Sequence, residues 1–248
     1  MDKTVTFLTH VNDAFESKYI EVRDKEDRVY SNEIVSQLPN VGKKHPQYHE
    51  WMMRRESAIR FTKYLQNKKI DYCLEIGCGN GWFSNLIANN TTANVLGLDI
   101  NLTELKQASK LFTKENLSFA YGDIFHSCFK NKFDLVVFNA SIQYFPDFKA
   151  VLDQLKFILT PNGEIHIIDS PFYTSALESK KAKERSKVYF DKTGVPEMVI
   201  HYHHHDKTEI KDFDILYSSR KNIWKRITRK RDSPFGWYRW TNKNATSL

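Results

Sequence analysis

Short runs of apolar residues recur along the middle of the chain, separated by longer segments of mixed polarity. Five such runs lie within residues 72–76, 94–98, 117–121, 133–138 and 164–168. The unbroken core of the fourth run is typical of a parallel strand that is buried on both faces. The lengths between the runs suit helical crossovers between parallel strands. The pattern therefore predicts an α/β fold around a mostly parallel sheet.

Other segments place apolar residues at helical spacing. Residues 148–159 carry such a stripe and end at a Thr-Pro-Asn-Gly stop signal. Residues 47–67 carry another at Trp51, Ala58, Phe61 and Leu65. We also expect a Lys-rich helix over 175–189, a loop at 195–198, and two closing strands over 213–219 and 235–240.

The first apolar run ends in a glycine-rich turn over residues 77–81, two residues after Glu75. Glycine lets a backbone turn tightly and lets a ligand approach where a side chain would collide. The dinucleotide fingerprint requires a further glycine three residues after Gly79, and Trp82 stands there instead. The turn is a candidate nucleoside site, although a purely structural turn has the same composition.

Two carboxylates follow later strands of the predicted sheet. Asp99 ends the second apolar run, 18 positions after Gly81. An acidic residue at about this distance can accept hydrogen bonds from both hydroxyls of a ribose. The alternative is a helix N-cap, which Asn101 or Thr103 can supply instead. Asp123 follows the third run in a Gly-Asp pair, which is also common turn chemistry.

A fourth motif, residues 139–145, begins at Asn139, where the fourth run ends. Ligands of open α/β sheets gather at such strand ends. Taken together over about 100 residues, 71–169, the order and spacing of these motifs resemble class I S-adenosylmethionine-dependent methyltransferases. The fourth motif departs from the Asn-Pro-Pro-Tyr form of the methyltransferases that act on base amino groups or glutamine amides. That departure disfavours those substrates.

The resemblance implies a Rossmann-like, doubly wound α/β sheet of seven strands, mostly parallel with a C-terminal antiparallel strand, and a helical N-terminal cap. It implies S-adenosyl-L-methionine as the cofactor and S-adenosyl-L-homocysteine as the product. The residues that it implies for cofactor binding are Glu75, Gly77, Cys78, Gly79, Gly81, Asp99, Ile100, Asp123, Ile124 and Asn139. Candidates for the acceptor pocket are Tyr144, Phe172, Tyr202 and His204, with Tyr173 beside them, and no catalytic residue is assigned.

The regions outside the motifs are expected to cover the site. Residues 1–69 are predicted to form the cap and 70–248 the cofactor-binding domain. An insertion at 170–212 is long enough to predict a functional lid. Four basic residues of the cap could reach the cofactor's carboxylate, for which arginine offers a two-pronged donor, or could form a solvated face. They are His45, His49, Arg54 and Arg55.

Histidines cluster at 201–205, where they fill four of five positions. Metal binding is disfavoured because no carboxylate or cysteine pair at ligand spacing accompanies them. A general base is a second alternative, since imidazole titrates near neutrality, and a solvated loop is the interpretation that we favour. His166 alternates with apolar neighbours in the fifth run, so we interpret it as a hydrogen-bonded structural residue.

Composition gives the net charge of the protein and predicts its cellular compartment. The 248 residues carry a net charge of +7, and six basic residues lie within 221–231. This basic segment can contact the phosphates of RNA or serve only as a solubilising surface. Three irregularly spaced cysteines fit reduced thiols. The start of the chain lacks a signal peptide, and no run approaches the ~20 apolar residues of a membrane span, so we expect a soluble, cytoplasmic protein.

Three functions remain open from the sequence. The ordered motifs and the lid-like insertion favour a methyltransferase that acts on a small molecule. The basic segment motivates an RNA methyltransferase as the alternative. A regulatory protein that binds the nucleoside without catalysis is the third.

Overall fold

The computed structural model describes residues 4–11, 13–129, 132–219 and 232–242. Within these ranges eight strands form one sheet: β1 Thr6–Phe7, β2 Tyr72–Ile76, β3 Asn94–Asp99, β4 Leu117–Tyr121, β5 Phe133–Asn139, β6 Leu159–Ile168, β7 Asp214–Tyr217 and β8 Trp237–Thr241. The helices are α1 Asp13–Lys25, α2 Asn32–Gln37, α3 Tyr48–Leu65, α4 Trp82–Asn90, α5 Leu102–Leu111, α6 Phe148–Ile158 and α7 Ala176–Thr193, with short 3-10 helices η1 Ile142–Tyr144 and η2 Pro196–His201. None of the helices in these ranges is long and apolar enough to cross a lipid bilayer.

The strand order is β1-β4-β3-β2-β5-β6-β8-β7. Among these strands β8 is the one that runs opposite to the others, and it pairs antiparallel with both β6 and β7. The order reverses at β2, which pairs with β3 on one side and β5 on the other. Such a reversal opens a crevice at the carboxyl ends of the strands. The predicted fold class is confirmed. The sheet has eight strands instead of the predicted seven, because residues 6–7 pair with β4. A segment of two residues is too short to show a periodicity in the sequence.

Apolar side chains cover both faces of the sheet. On one face, Phe61 of α3 and Phe83 of α4 stack with their ring centroids 5.3 Å apart. On the other, Phe148 and Val151 of α6 pack against the strands. The predicted stripe of α3 is buried, as expected, at Trp51, Ala58, Phe61 and Leu65. Burial on both faces explains why the central strands read as apolar runs.

His166 is a fixed structural residue in β6, as predicted. Its side chain is fully buried, and the indole N–H of Trp237 in β8 donates a hydrogen bond to Nδ1 at 2.9 Å. Glu164 Oε2 lies 3.2 Å from Nε2. Because Nδ1 accepts, Nε2 carries the proton of the neutral ring. Burial lowers the pKa of His166, so both ring nitrogens are occupied by the fold and neither is available for catalysis.

The insertion after β6 is largely helical. The predicted Lys-rich helix is present as α7. The loop expected at 195–198 is instead the start of η2, in which Pro196 occupies the first turn. Proline's fixed φ suits that position, which is why a residue that suggests a break begins a helical turn here. Met198 of η2 and Val22 of α1 belong to one small apolar cluster, so the two segments lie next to each other.

Candidate functional site

Two adjoining cavities open at the carboxyl ends of the central strands, where the sequence predicts a ligand. The larger has a volume of about 400 Å3 and is lined mostly by apolar side chains; we call it the apolar cavity. The smaller, of about 170 Å3, is lined by charged and amide side chains, and we call it the polar cavity. Residues common to both are Tyr19, Gly77, Gly79, Glu104, Ala140 and Tyr144.

The glycine-rich turn contributes in two different ways. Gly77 has a φ of 72°, and a Cβ there would lie 2.5 Å from the Cβ of Ser141. Gly81 has a φ of 74°, and a Cβ there would lie 2.6 Å from the ring of Phe119. Glycine is thus required at both positions, because a side chain would be strained and would collide. Gly77 lines the cavities, whereas Gly81 lines neither and serves the packing of α4 on β4.

Asp99 ends β3 and faces the apolar cavity with both oxygens held by the backbone. The Gly79 N–H donates to Oδ2 at 2.7 Å, and the Asn101 N–H donates to Oδ1 at 2.8 Å. Burial raises the pKa of Asp99, against the effect of these two bonds. The N-cap of α5 is Asn101, whose side chain accepts from the Glu104 N–H, so the N-cap alternative for Asp99 is wrong. Each carboxylate oxygen keeps a lone pair for a ligand.

Ile100, Asp123 and Ile124 line the end of the apolar cavity that lies beyond β3 and β4. Asp123 Oδ1 accepts from the Phe125 N–H at 2.8 Å, which confirms its role in a turn. Its side chain is 41% exposed, with Oδ2 3.5 Å from Nδ1 of His126. Two apolar side chains and one polar group form a slot that suits a flat heteroaromatic ring.

Three buried polar atoms of the polar cavity have no hydrogen-bond partner among the described residues. They are Arg23 Nε, Asn139 Oδ1 and Gln143 Oε1. The amide nitrogen of Gln143 donates to the Ala140 carbonyl at 2.6 Å, which leaves Oε1 as the unused end. Buried polar groups are almost always paired, so each such atom calls for an explanation. The polar cavity therefore presents two acceptors and one donor to a ligand.

Two carboxyl groups on the polar cavity bind protons more tightly than usual. Glu75 is 1% exposed and accepts a hydrogen bond from the Ser84 hydroxyl. Burial raises its pKa to about 8. Glu104 accepts from the Asn101 amide at 3.0 Å, and burial raises its pKa to about 7, against the nearby Arg23. The polar cavity is therefore less negative than its number of acids suggests.

Basic residues from α1 and α3 border the polar cavity. Glu50 joins Arg28 and Arg54, with contacts of 2.5 Å and 3.0 Å. Of the four cap residues predicted to reach the cofactor's carboxylate, Arg54 lines this cavity and the other three do not. Arg23 of α1, whose side chain is 22% exposed, also lines the polar cavity. Cys78 also lines it, and because burial raises the pKa of the Cys78 thiol, its sulfur stays protonated and unreactive.

The residues predicted for an acceptor pocket separate into two groups. Tyr144 lines both cavities and Tyr202 lines the polar one. Phe172 is placed in the core instead, 9% exposed and in edge contact with Phe148. An aromatic residue beside a strand end can fill either place, and sequence alone does not distinguish them. The His204 ring contacts the Tyr202 ring in a tilted arrangement, with centroids 5.3 Å apart, and lines neither cavity.

Helix α1 supplies site residues that the sequence analysis missed. Phe15 and Tyr19 line the apolar cavity, and Arg23 lines the polar one. The spacing of four residues puts all three on one face of a helix. That spacing was visible in the sequence, but nothing in it connected residues 15–23 with strands that begin some fifty positions later. Glu104, in the first turn of α5, was missed for a similar reason.

The histidines at 201–205 form a solvated loop only in part, since residues 202–205 lie outside any helix or strand but His205 is buried. His201 lines the apolar cavity. His205 is 4% exposed, with its ring nitrogens 3.2 Å from the Ile142 carbonyl and 3.1 Å from Glu209. In the part of the chain that the structure describes, no group of three or more His, Cys, Asp or Glu side chains is placed to hold a metal ion. The basic segment at 221–231 lies outside the described residues.

Comparison with known proteins identifies relatives. A family model of a methyltransferase domain matches residues 67–232, about two thirds of the 248 residues. Malonyl-(acyl-carrier protein) O-methyltransferase 2 of Ilyobacter polytropus is 33% identical over 130 residues, which are 51% of this chain and 50% of that protein. The demethylmenaquinone methyltransferase of Lactobacillus johnsonii is 30% identical over 118 residues, 45% of this chain and 48% of that protein. The chain thus matches about half the length of each relative.

A solved structure resembles almost the entire chain. The magnesium protoporphyrin IX methyltransferase of Synechocystis PCC 6803, with bound SAH, has a TM-score of 0.56 and 16% sequence identity. The likeness covers 92% of this chain and 94% of that one. At this level of identity the likeness concerns the fold alone.

Proposed function

The chain belongs to the methyltransferase domain family, and from that premise we propose that it binds S-adenosylmethionine across the two cavities and transfers the methyl group to a small-molecule acceptor. We also assign residues 1–69 to a cap and 170–212 to a lid. The support for these two roles is that the cap lines both cavities through Tyr19, and the insertion reaches them through His201 and Tyr202.

The observation that carries the proposal is the set of partnerless polar atoms in the polar cavity. The methionine end of S-adenosylmethionine is a zwitterion, with an ammonium group that donates and a carboxylate that accepts. Asn139 Oδ1 and Gln143 Oε1 are suited to the ammonium group, and Arg23 Nε is suited to the carboxylate. A zwitterion of this kind would give all three buried atoms the partners that they lack.

The apolar cavity suits the adenosine end. Asp99 has a lone pair on each oxygen for the two ribose hydroxyls. Ile100 and Ile124 form the sides of a slot for adenine, and Asp123 offers an acceptor for its exocyclic amine. The polar cavity meets the apolar one at Gly77 and Gly79, so a single elongated ligand can occupy both.

S-adenosylmethionine, when bound, supplies a methyl group on a sulfonium, which is already a good leaving group. The residues of this chain then have to align donor and acceptor and exclude water. The rings of Tyr19 and Tyr144, 5.7 Å apart and edge to face, lie where the cavities join. Burial raises the pKa of both hydroxyls, so they remain neutral. Their aromatic faces also favour a cationic ligand.

The acceptor is assigned to the small-molecule class on two grounds. The two relatives are named for malonyl-(acyl-carrier protein) and demethylmenaquinone as acceptors. In addition, residues 139–145 lack the Asn-Pro-Pro-Tyr form associated with base amino groups.

Calorimetric titration with S-adenosylhomocysteine tests the proposal. Asp99→Ala removes two hydrogen bonds to a charged group, each worth about 1.5–3 kcal/mol, so its affinity is expected to fall by a factor on the order of 10² to 10⁴. Arg23→Ala is expected to lose affinity through the carboxylate. The matched control is Asp153→Ala on the outer side of α6, where the carboxylate pairs with Lys149 and Lys156.

The control variant is expected to bind like the wild type, and thermal melts of each variant establish that it is folded. A wild-type protein that does not bind S-adenosylhomocysteine, or an Asp99→Ala variant of unchanged affinity, would contradict the proposal. Binding without methyl transfer to any acceptor would instead favour the regulatory alternative.

A further inference from the structure

One histidine of the 201–205 cluster lines the apolar cavity, and its ring nitrogens make no hydrogen bond within the described residues. His201 ends η2 and lines the cavity together with Tyr144. The ring of Phe15 meets the His201 ring edge to face, with centroids 5.2 Å apart. Among the hydrogen bonds within the described ranges, none involves the His201 ring. Both of its nitrogens are therefore available to a ligand.

Neighbouring histidines anchor the segment that carries His201. The His205 ring lies 3.2 Å from the Ile142 carbonyl of η1. The backbone N–H of His203 donates to the Gln143 carbonyl at 2.7 Å. Two bonds thus tie residues 203–205 to η1, the element that also carries Tyr144. They hold His201 in a defined position above the strand ends, which is a requirement for a group that transfers a proton.

Part of the lining of the apolar cavity is aromatic and apolar and comes from α1, from η1 with the two residues after it, and from the end of η2. We call this part the roof; it consists of Phe15, Tyr19, Tyr144, Phe145, Pro146 and His201. The residues assigned above to the adenosine end line the same cavity at the strand ends. An acceptor that shares the cavity has to lie against the roof, and a flat ring suits a slot with aromatic walls. His201 is the roof residue whose side chain type accepts a proton near neutral pH.

We propose that His201 is a catalytic base that removes the proton from a hydroxyl group on an aromatic ring of the acceptor. The proposal rests on the proposed function and names the substrate class. The acceptor O–H bond breaks and its proton goes to an imidazole nitrogen. The oxygen forms a bond to the methyl carbon, while the electron pair of the methyl–sulfur bond stays on sulfur. The products are an aryl methyl ether, S-adenosylhomocysteine and a proton, which the imidazole passes to solvent.

The pH dependence of the reaction separates His201 from the ionisable groups that share its cavity. These are Tyr19 of α1, Tyr144 of η1, Glu104 of α5, and Asp99 and Asp123 at the strand ends. Along the chain lies His203, whose pKa is lowered by burial and by the neighbouring His205 and His201. Only neutral imidazole accepts a proton, so the rate is expected to fall when acid protonates the ring. Glu104 also titrates near neutrality, so a variant is needed to assign the effect.

The test uses 4-nitrocatechol, a flat phenolic ring whose absorbance changes when it loses a proton. The variants are His201→Asn and, as the matched control, His203→Asn, whose ring lines neither cavity. Calorimetry first measures S-adenosylhomocysteine affinity, which is expected to agree within about twofold among the three proteins. The probe is then added at pH 6 to the saturated complexes. Wild type and control are expected to show the deprotonated spectrum, and His201→Asn the neutral one.

Methylation of the same probe with S-adenosylmethionine gives the second readout. His201→Asn is expected to be slower by a factor on the order of 10² to 10⁴, the usual contribution of a general base, and to lose the fall in rate at low pH. The control keeps the wild-type rate and profile. Equal spectra or equal rates in wild type and His201→Asn overturn the proposal, as does a wild type that binds S-adenosylhomocysteine but does not methylate the probe. Failure of S-adenosylhomocysteine to bind would instead refute the proposed function itself.

Discussion

Glu75 gives the sharpest stability prediction, because its carboxyl group is almost completely buried. It is 1% exposed, with the Ser84 hydroxyl as its hydrogen-bond donor. Burial, followed by the charge of Asp99, raises its pKa from 4.5 to about 8. The folded protein therefore keeps a proton on Glu75 at pH values at which the unfolded chain has already released it.

This difference fixes the sign of the pH dependence. Between pH 4.5 and about 8 the folded state binds one proton more at this side chain than the unfolded state does. The contribution of Glu75 to the free energy of unfolding is thus fully present below pH 4.5 and is lost as the pH rises towards 8. At about 1.4 kcal/mol per pH unit, the loss over this interval reaches about 4–5 kcal/mol.

Glu75→Gln removes the ionisable group and keeps its size. The variant and the wild type are expected to have similar stability near pH 5, and the variant is expected to be more stable by about 4 kcal/mol near pH 8. Urea unfolding at pH 5, 6, 7 and 8 measures the difference between the two proteins. Glu184→Gln, on the exposed side of α7, changes the same charge in water and serves as the reference. A difference between Glu75→Gln and wild type that stays constant over this range would refute the argument.

Three further predictions concern packing. Gly81→Ala is expected to lower the free energy of unfolding by about 2–4 kcal/mol, because the φ of 74° strains a side chain and a Cβ would lie 2.6 Å from the Phe119 ring. Gly42→Ala is the control, because a Cβ there meets nothing within 4 Å, and it is expected to change the free energy little. Chemical denaturation compares the two variants. Phe172→Ala is expected to lower the free energy of unfolding by about 3–5 kcal/mol in the same assay and to leave the affinity for S-adenosylhomocysteine unchanged. A loss of affinity would show that Phe172 belongs to the binding site. Trp237→Phe leaves Nδ1 of the buried His166 without its donor and is expected to cost about 1–3 kcal/mol, and an unchanged denaturation midpoint would contradict that bond.

The sheet and its ligand edge could be predicted because their signals are local. An apolar run that ends in glycines or in Asp99 contains both the strand and the group at its tip. The parallel arrangement of the strands then brings these tips together whatever lies between them. His166 was interpretable for the same reason, since its alternation with apolar neighbours in β6 already implied burial.

Apart from Tyr144, which the motif after β5 indicated, the roof could not be predicted because it depends on contacts between distant segments. Phe15 and His201 touch although 186 positions separate them in the sequence. Residue type alone does not tell a pocket wall from a core contact. For this reason Phe172 was assigned to the acceptor pocket although its side chain lies in the core. The histidine cluster looked uniform in the sequence, yet His201 ends η2 and lines the apolar cavity, whereas His205 lies beyond η2 and is buried.

The attachment of the roof also bears on how ligands enter. Val22 of α1 meets Phe190, Val195 and Met198 in a small apolar cluster that is separate from the two cores flanking the sheet. Segments held by few buried contacts open at a lower free energy than a central sheet does. If α1 and η2 separate while the strands stay folded, entry of the donor and release of the product depend on this cluster together with the polar contacts of α1, such as those of Glu16 with Thr103 and of Lys25 with the Gly194 carbonyl. Turnover could then be tuned by substitutions that do not touch the reacting atoms.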